Sequence, residues 1–301
     1  MKRILVPLDG TDVAESILPD ACRYAGKNGE MILVRDVTGL KRQYDFEAET
    51  SEDIVRQAEL YLEAEADTLR VKGTRVRTQV VTIDNVASGI DEMANLFDVD
   101  MIACATHGRG PLGRLVRGSI AWKALAHSTV PVLLRHPRED EVEPPAAPED
   151  GPRTIMVPLD GSPLAESALP LARELASEWN ASTILTRVAL YPFQATTMAL
   201  QARELVHEAD EYLQRVAQTI PGDVQATVLT GPVSESLSRA ATLNGVTDIV
   251  MASHGRTGLT RVLLGSVADG LIHKLHCPIV VVPAGAVRTS AQPHRSVASA
   301  V

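Results

Sequence analysis

Residues 248–275 read DIVMASHGRTGLTRVLLGSVADGLIHKL, and this stretch decides the fold. The apolar run Asp248–Ala252 predicts a buried strand, and Ser266–Leu275 predicts a helix. A segment punctuated by glycines connects the two. Glycines let the backbone come close to a ligand, and the start of a helix presents free N–H groups. The connection between this strand and this helix therefore favours the binding of phosphate.

The same layout of strand, glycine segment and helix occurs earlier in the chain. There an apolar strand leads into Ala105-Thr106-His107-Gly108, and after nine intervening residues comes Gly118-Ser119. Two copies with equal spacing are much stronger evidence for a ligand site than one copy. The candidate phosphate-binding residues are Ala105, His107, Gly108, Gly118 and Ser119 in the first copy, and Ala252, His254, Gly255, Gly265 and Ser266 in the second.

Two residue types in these segments have more than one interpretation. Ser266 is placed to act as an N-cap or as a phosphate-binding hydroxyl. His107 and His254 are candidate general bases, or loop histidines that bond the backbone or lie near phosphate. The residue types alone do not choose between these roles.

An internal duplication sets the domain organisation. Residues 6–25 read VPLDGTDVAESILPDACRYA, and residues 157–176 read VPLDGSPLAESALPLARELA. A repeat with a period near 150 residues indicates two domains rather than a solenoid of short units. We expect a first domain at residues 1–136, a proline-rich acidic linker at 137–152, a second domain at 153–284 and a flexible tail at 285–301.

Hydrophobic periodicity predicts the same order of elements in both domains. The predicted strands are Arg3–Leu8, Met31–Val37, Arg75–Thr82, Asp100–Ala105 and Val130–Arg135, then Thr154–Leu159, Thr183–Ala189, Gln225–Leu229, Asp248–Ala252 and Pro278–Val282. The predicted helices are Asp12–Ala25, Glu49–Arg70, Val86–Leu96 and Ser119–His127, then Leu164–Trp179, Thr197–Ile220, Val233–Leu243 and Ser266–Leu275.

Alternating strands and helices predict an α/β fold, with two tandem Rossmann-like domains that each contain a five-stranded parallel sheet of order 3-2-1-4-5. Ligands of such sheets bind beyond the carboxyl ends of the strands. Asp9 and Asp160 follow the first strands, with Pro7 and Pro158 shaping the wall beside them. A carboxylate accepts hydrogen bonds from an exocyclic amine or a ribose hydroxyl, so the pattern predicts a cleft for an adenine nucleotide.

Composition excludes several classes of protein. With a formal net charge of -9, the chain has no excess of basic residues for binding nucleic acid or an anionic membrane surface. We expect no membrane span, because no apolar run approaches the roughly 20 residues that a spanning helix needs. Three widely spaced cysteines argue against a disulfide framework or a zinc site. Together with the lack of a signal peptide, they predict a cytoplasmic protein.

Sequence motifs of known catalytic sites are missing, which favours a binding function over catalysis. There is no Gly-Lys-[Ser/Thr] phosphate loop, no Gly-x-Ser-x-Gly elbow and no pair of carboxylates at one strand end. We therefore assign no catalytic residue and no metal ligand, although Mg²⁺ could enter with the phosphates of ATP. A non-nucleotide interaction protein on the same fold and a slow ATPase remain as alternatives.

The chain resembles the universal stress protein family, as a tandem two-domain member. Val6–Gly10 and Val157–Gly161 match the family's first-strand signature, and Cys277–Val282 matches its closing strand, with a parallel at Val130–Leu134. The family's nucleotide motif is Gly, two residues, Gly, nine residues, Gly and then Ser or Thr. Both copies match it except at its first glycine, which is Ala105 in one copy and Ala252 in the other.

The resemblance implies a function as well as a fold. It implies adenine-nucleotide-binding domains that pair through their fifth strands, here within the chain, and a homodimer is a further option. Members of the family divide into ATP binders and non-binders. We therefore expect a stress-response protein with ATP as its ligand, acting as a nucleotide-dependent sensor or regulator.

Overall fold

The computed structural model describes residues 2–38, 51–82, 86–106, 119–137, 151–189, 198–253 and 265–284. These residues belong to two compact units, and the described residues up to 137 lie in the first unit and those from 151 to 284 in the second. Most of the predicted linker and the whole predicted tail lie outside the described residues. The linker and tail, with the domain boundaries that they set, therefore stay predictions.

The first unit contains five strands and five helices among its described residues. Its strands are β1 (Arg3–Pro7), β2 (Glu30–Asp36), β3 (Arg75–Val81), β4 (Met101–Ala105) and β5 (Val132–Arg135). Its helices are α1 (Asp12–Glu15), α2 (Leu18–Ala25), α3 (Ser51–Val71), α4 (Val86–Leu96) and α5 (Ser119–His127).

The strands of the first unit form a parallel sheet. β1 pairs with β2 on one side and with β4 on the other, while β3 and β5 extend the sheet outward in the order β3-β2-β1-β4-β5. All five residues of β4 are buried, as are Ile4 to Pro7 of β1. A strand that is covered on both faces carries a continuous apolar run, which explains the sequences of β1 and β4.

The second unit repeats this architecture. Its strands are β6 (Thr154–Pro158), β7 (Ser182–Ala189), β8 (Val224–Thr230), β9 (Asp248–Ala252) and β10 (Ile279–Val282). Its helices are α6 (Pro163–Glu166), α7 (Leu169–Trp179), α8 (Met198–Ala217), α9 (Val233–Leu243) and α10 (Ser266–Ile272). The strands are parallel in the order β8-β7-β6-β9-β10. The predicted fold class is thus confirmed.

The prediction of a single helix after the first strand was wrong in both units, because the structure has two helices there. α1 ends at Glu15 and α6 ends at Glu166, each four residues before a proline at the start of the next helix. Proline lacks an N–H group, and its ring clashes with the carbonyl of the residue four positions earlier. Pro19 and Pro170 therefore interrupt the helix and start it again.

Two predicted helices extend too far at their carboxyl ends. α8 stops at Ala217, where the N–H groups of Thr219 and Ile220 donate to carbonyls three residues back instead of four. Pro221 follows, which prevents the helix from continuing. α10 stops at Ile272, and the N–H group of Lys274 likewise donates to the Leu271 carbonyl at 3.1 Å.

Candidate functional site

The carboxyl edge of each sheet brings the predicted strand-end residues together. In the first unit, neighbouring strands β1 and β4 end at Pro7 and Ala105, and Asp9 follows at the same edge. In the second unit, neighbouring strands β6 and β9 end at Pro158 and Ala252, with Asp160 after β6. The predicted residues His107, Gly108, Gly118, His254 and Gly255 lie outside the described residues.

Asp9 and Asp160 shape the turns that follow their strands. Oδ1 of Asp9 accepts hydrogen bonds from the Thr11 N–H at 3.0 Å and from the Thr11 hydroxyl at 2.6 Å. Oδ1 of Asp160 accepts from the Ser162 N–H at 2.9 Å. Such turns are a common use of aspartate. A carboxylate has about four acceptor positions on two oxygens. In both turns these hydrogen bonds run to one oxygen of the aspartate, Oδ1.

The residue after each aspartate has to be glycine. Gly10 has a φ of +83° and Gly161 a φ of +82°, in the left-handed region that other L-residues enter only with strain. Thr11 and Ser162 then serve as N-caps of α1 and α6, accepting from the N–H groups of Ala14 and Ala165. The repeated Asp-Gly pair thus turns the chain sharply at the edge where a ligand would lie.

The two alanines that replace the first glycine of the family motif are accommodated without strain. Ala105 and Ala252 are the last residues of β4 and β9, and they are 8% and 6% exposed. Among the described non-glycine residues, a positive φ occurs only at Asp98 and Asn180. The backbone at each alanine is therefore one that any L-residue adopts. The departure from the motif costs nothing in conformation.

In the second unit, a hydrogen bond joins the two described residues that flank the glycine segment. The Gly265 N–H donates to the Ser253 carbonyl at 3.0 Å, and the Ser253 N–H donates to the Val282 carbonyl at 2.8 Å. The start of α10 is thereby joined to the carboxyl end of β9.

The residue that caps the start of α10 is not Ser266, for which the sequence suggested two roles. Gly265 is the N-cap residue of α10, and Ser266 is the first helical residue. The interpretation of Ser266 as an N-cap was wrong, because Gly265 takes up the extended cap conformation with a ψ of 144°. The Ser266 side chain is exposed, so its hydroxyl can still reach a ligand. Ser119 is likewise the first residue of α5.

Sequence reasoning missed a set of three side chains that recurs in both units. The Tyr61 hydroxyl donates to Glu15 Oε1 at 2.7 Å, and Arg35 Cζ lies 4.6 Å from the centre of the Tyr61 ring. In the second unit the Tyr212 hydroxyl donates to Glu166 Oε1 at 2.9 Å, and Arg187 Cζ lies 5.1 Å from the Tyr212 ring. We call these the Arg–Tyr–Glu sets.

Each Arg–Tyr–Glu set links three elements. The glutamate is on the short helix after the Asp-Gly turn, the arginine is on the second strand, and the tyrosine is on the long helix. Burial, and then the hydrogen bond to the glutamate, raise the pKa of Tyr61 and Tyr212 well above the ordinary value of tyrosine. Each tyrosine therefore stays a neutral hydrogen-bond donor to its glutamate. The equal positions of these residues in the repeat were the signal that could have revealed the sets.

Metal and membrane features are not found in the described parts of the chain. No three His, Cys, Asp or Glu side chains are grouped there in a way that could hold a metal ion. No helix among the described residues has the length and apolar character needed to cross a membrane.

The fold and its carboxyl edges define the class of protein, which is a tandem pair of Rossmann-like parallel α/β domains. The model of the universal stress protein family matches residues 1–136 and again residues 152–283. The chain belongs to the universal stress protein family.

Relatives and solved structures agree with this assignment. Universal stress protein Rv2623 of Mycobacterium tuberculosis is 29% identical over 229 residues, which cover 72% of this chain and 71% of that protein. Universal stress protein Mb2028c of Mycobacterium bovis is 28% identical over 191 residues, which cover 61% of this chain and only 62% of that protein's length. A solved universal stress protein from Archaeoglobus fulgidus has a TM-score of 0.63 at 17% identity, covering 94% of this chain and 96% of that one. That likeness supports the fold.

Proposed function

We propose that each unit binds an adenine nucleotide, with ATP as the main ligand, at the carboxyl edge of its sheet. The observation that carries the proposal is the convergence at that edge in the second unit. Asp160 follows β6 there, and the hydrogen bond from Gly265 to Ser253 joins the start of α10 to the end of neighbouring β9. Ligands of doubly wound sheets bind at this kind of position.

The residues at the edge suit the chemistry of a nucleotide. Asp9 and Asp160 would accept from the exocyclic amine or a ribose hydroxyl, with Pro7 and Pro158 beside them. The N–H groups of the glycine segments and the hydroxyls of Ser119 and Ser266 would donate to phosphate oxygens, and His107 and His254 belong to the same segments. Bound ATP would bring four negative charges to the edge, and Mg²⁺ would accompany the phosphates.

The proposed role is that of a stress-response sensor or regulator in the cytoplasm. Binding of ATP would order the glycine segment and change the surface beside it, and that surface would alter self-association or the choice of a protein partner. Pairing of the two domains through β5 and β10, and a homodimer, are part of the same proposal. No catalytic residue is assigned, and a slow ATPase remains a further alternative.

One observation favours a second candidate function, which is an interaction protein without a nucleotide. Asp9 and Asp160 each have a structural task as acceptors in the turn after the first strand. Their occurrence in both copies is thus explained without any ligand. In this alternative the carboxyl edge of each sheet retains these turns but does not bind a nucleotide.

The first test measures nucleotide content and thermal stability together. Protein denatured directly after purification should release about two adenine nucleotides per chain, and ATP should raise the Tm of nucleotide-free protein. The gain in unfolding free energy would be about 2.7 kcal/mol at a concentration 100 times the Kd. A double variant, Gly118→Glu with Gly265→Glu, should lose both effects, because a carboxylate would repel phosphate.

The matched control is the double variant Gly73→Glu with Gly222→Glu. These glycines face open space, with no atom within 4 Å of an added Cβ, and neither belongs to a glycine segment. The control should keep the ATP-dependent rise in Tm. Absence of nucleotide in the wild-type extract, with no rise in Tm on adding ATP, would establish the alternative function instead.

A further inference from the structure

The arginine of the first Arg–Tyr–Glu set lies against the Asp-Gly turn of the first strand. A Cβ atom on Gly10 would be 3.1 Å from both terminal nitrogens of Arg35, so the guanidinium lies beside the open side of Gly10. Gly10 directly follows Asp9, which places Arg35 and Asp9 at the same part of the carboxyl edge. The same arginine recurs in the second unit, since Val34 and Thr186 take equivalent registers with Pro7 and Pro158. Arg35 and Arg187 are the next residues.

The guanidinium groups are held in position but have few hydrogen bonds within the protein. The Arg35 guanidinium lies over the Tyr61 ring and beside Gly10. Arg187 contacts the Tyr212 ring and has a distant carboxylate, Glu208, at 3.9 Å. That glutamate side chain is 71% exposed, so water screens its charge. A guanidinium has five N–H donors and no acceptor, so donors remain for a ligand.

The strand order decides which end of a nucleotide these donors would meet. β1 lies between β2 and β4, so Arg35 on β2, Asp9 after β1 and the carboxyl end of β4 follow one another along the edge. With the phosphates at the glycine segment, the base and ribose extend toward β2. The order β7-β6-β9 gives Arg187 the same position in the second unit.

We propose that Arg35 and Arg187 bind the nucleoside end of the nucleotide, donating hydrogen bonds to acceptor atoms of the base and ribose. This inference rests on the proposed function. Stacking on Tyr61 or Tyr212 orients the guanidinium before the ligand arrives, and the hydroxyl bond to Glu15 or Glu166 fixes the ring. Preorganised donors lose less conformational freedom on binding, which favours affinity. The acidic residue and the arginine at each edge supply acceptors and donors together.

The experiment compares ATP with inorganic tripolyphosphate by calorimetric titration of the full chain. In the double variant Arg35→Gln with Arg187→Gln, ATP should bind about tenfold more weakly at each site, as expected when a charged hydrogen bond is lost. Tripolyphosphate, which has no nucleoside, should bind with an affinity within about twofold of wild type. A fold defect would weaken both ligands, so the difference between them reports the contact itself.

The control is the double variant Arg77→Gln with Arg153→Gln. These arginines also lie over aromatic rings, Phe97 at 5.9 Å and Trp179 at 4.7 Å, but away from the carboxyl edge. Both ligands should bind the control with about wild-type affinity.

The outcomes separate the inference from the function on which it rests. Wild-type protein that binds ATP, with unchanged affinity in the Arg35 and Arg187 variant, would overturn the inference alone. Equal weakening of ATP and tripolyphosphate would also overturn it, because the arginines would then act on phosphate or on the fold. Wild-type protein that does not bind ATP would overturn the proposed function and this inference together.

Discussion

At the scale of single residues, the turn after the first strand shows how one position meets two constraints. Gly10 has a φ of +83°, and the guanidinium of Arg35 occupies the space where a Cβ would point. Gly73 has a similar φ of +87°, but no atom lies within 4 Å of its Cβ position. The two glycines therefore share the conformational constraint and differ in the steric one.

Alanine at these two positions should separate the constraints. Gly73→Ala should lower the free energy of unfolding by about 1–2 kcal/mol, the cost of a left-handed L-residue. Gly10→Ala should cost about 0.5–1 kcal/mol more, since the methyl group displaces Arg35 from the Tyr61 ring. Urea denaturation measures both. In an Arg35→Gln background the two costs should become equal, and a persisting difference would contradict the assigned contact.

At the scale of elements, the position of α10 depends on close packing against α9. A Cβ atom on Gly270 would lie 2.6 Å from Ser234 Oγ and 2.8 Å from Ser234 Cβ. Real Cβ atoms do not approach so closely, so a larger residue must push the helices apart. Because Gly265 caps the start of α10, this contact also helps to place Gly265.

Gly270→Ala should therefore destabilise the protein, although alanine is the better helix former. Overpacking costs about 1–3 kcal/mol, against about 1 kcal/mol gained in helix propensity. Ser234→Gly removes the opposing side chain and should make the same Gly270→Ala change neutral or stabilising. A double-mutant cycle by urea denaturation gives the coupling free energy, and a value near zero would show that the helices do not meet at these residues.

At the scale of the whole molecule, the two units stabilise equivalent places by different chemistry. Asp20 is 3% exposed and forms ion pairs at 2.8 Å with Arg23 and with Arg135, which is also buried. In the repeat, Leu171 and Val282 stand at the positions of Asp20 and Arg135. One unit thus buries an ionic pair where the other has apolar side chains.

Transplanting the apolar pair should show what the ionic pair contributes. Asp20→Leu alone should cost about 3–5 kcal/mol, because Arg135 would remain buried without its carboxylate. Adding Arg135→Val should restore most of this loss, since apolar pairs often replace buried ion pairs at no cost. The exposed pair of Arg70 and Asp67 is the control, and Asp67→Ala should cost no more than about 1 kcal/mol. Denaturant unfolding measures these changes. If the double variant is as unstable as Asp20→Leu, the expectation that an apolar pair can replace the ionic pair is contradicted.

The sequence by itself determined the features that local pattern and repetition encode. Apolar runs such as Asp248–Ala252 and the duplicated Val-Pro-Leu-Asp-Gly gave the parallel α/β domains, the family and the edge at which Asp9 and Asp160 stand. Periodicity also predicted one helix where Pro19 divides two. The proline was visible, and the clash of its ring with the carbonyl four residues earlier, that of Glu15, could have predicted the break.

Only the tertiary structure decided which side chains meet. Arg35, Tyr61 and Glu15 are far apart in the chain and were expected only as parts of separate elements, yet they form one contact set beside Gly10. The same holds for Asp20 and Arg135, which are 115 residues apart. The physical reason is that hydrophobic periodicity reports the face on which a residue lies, whereas its partners depend on strand order and packing.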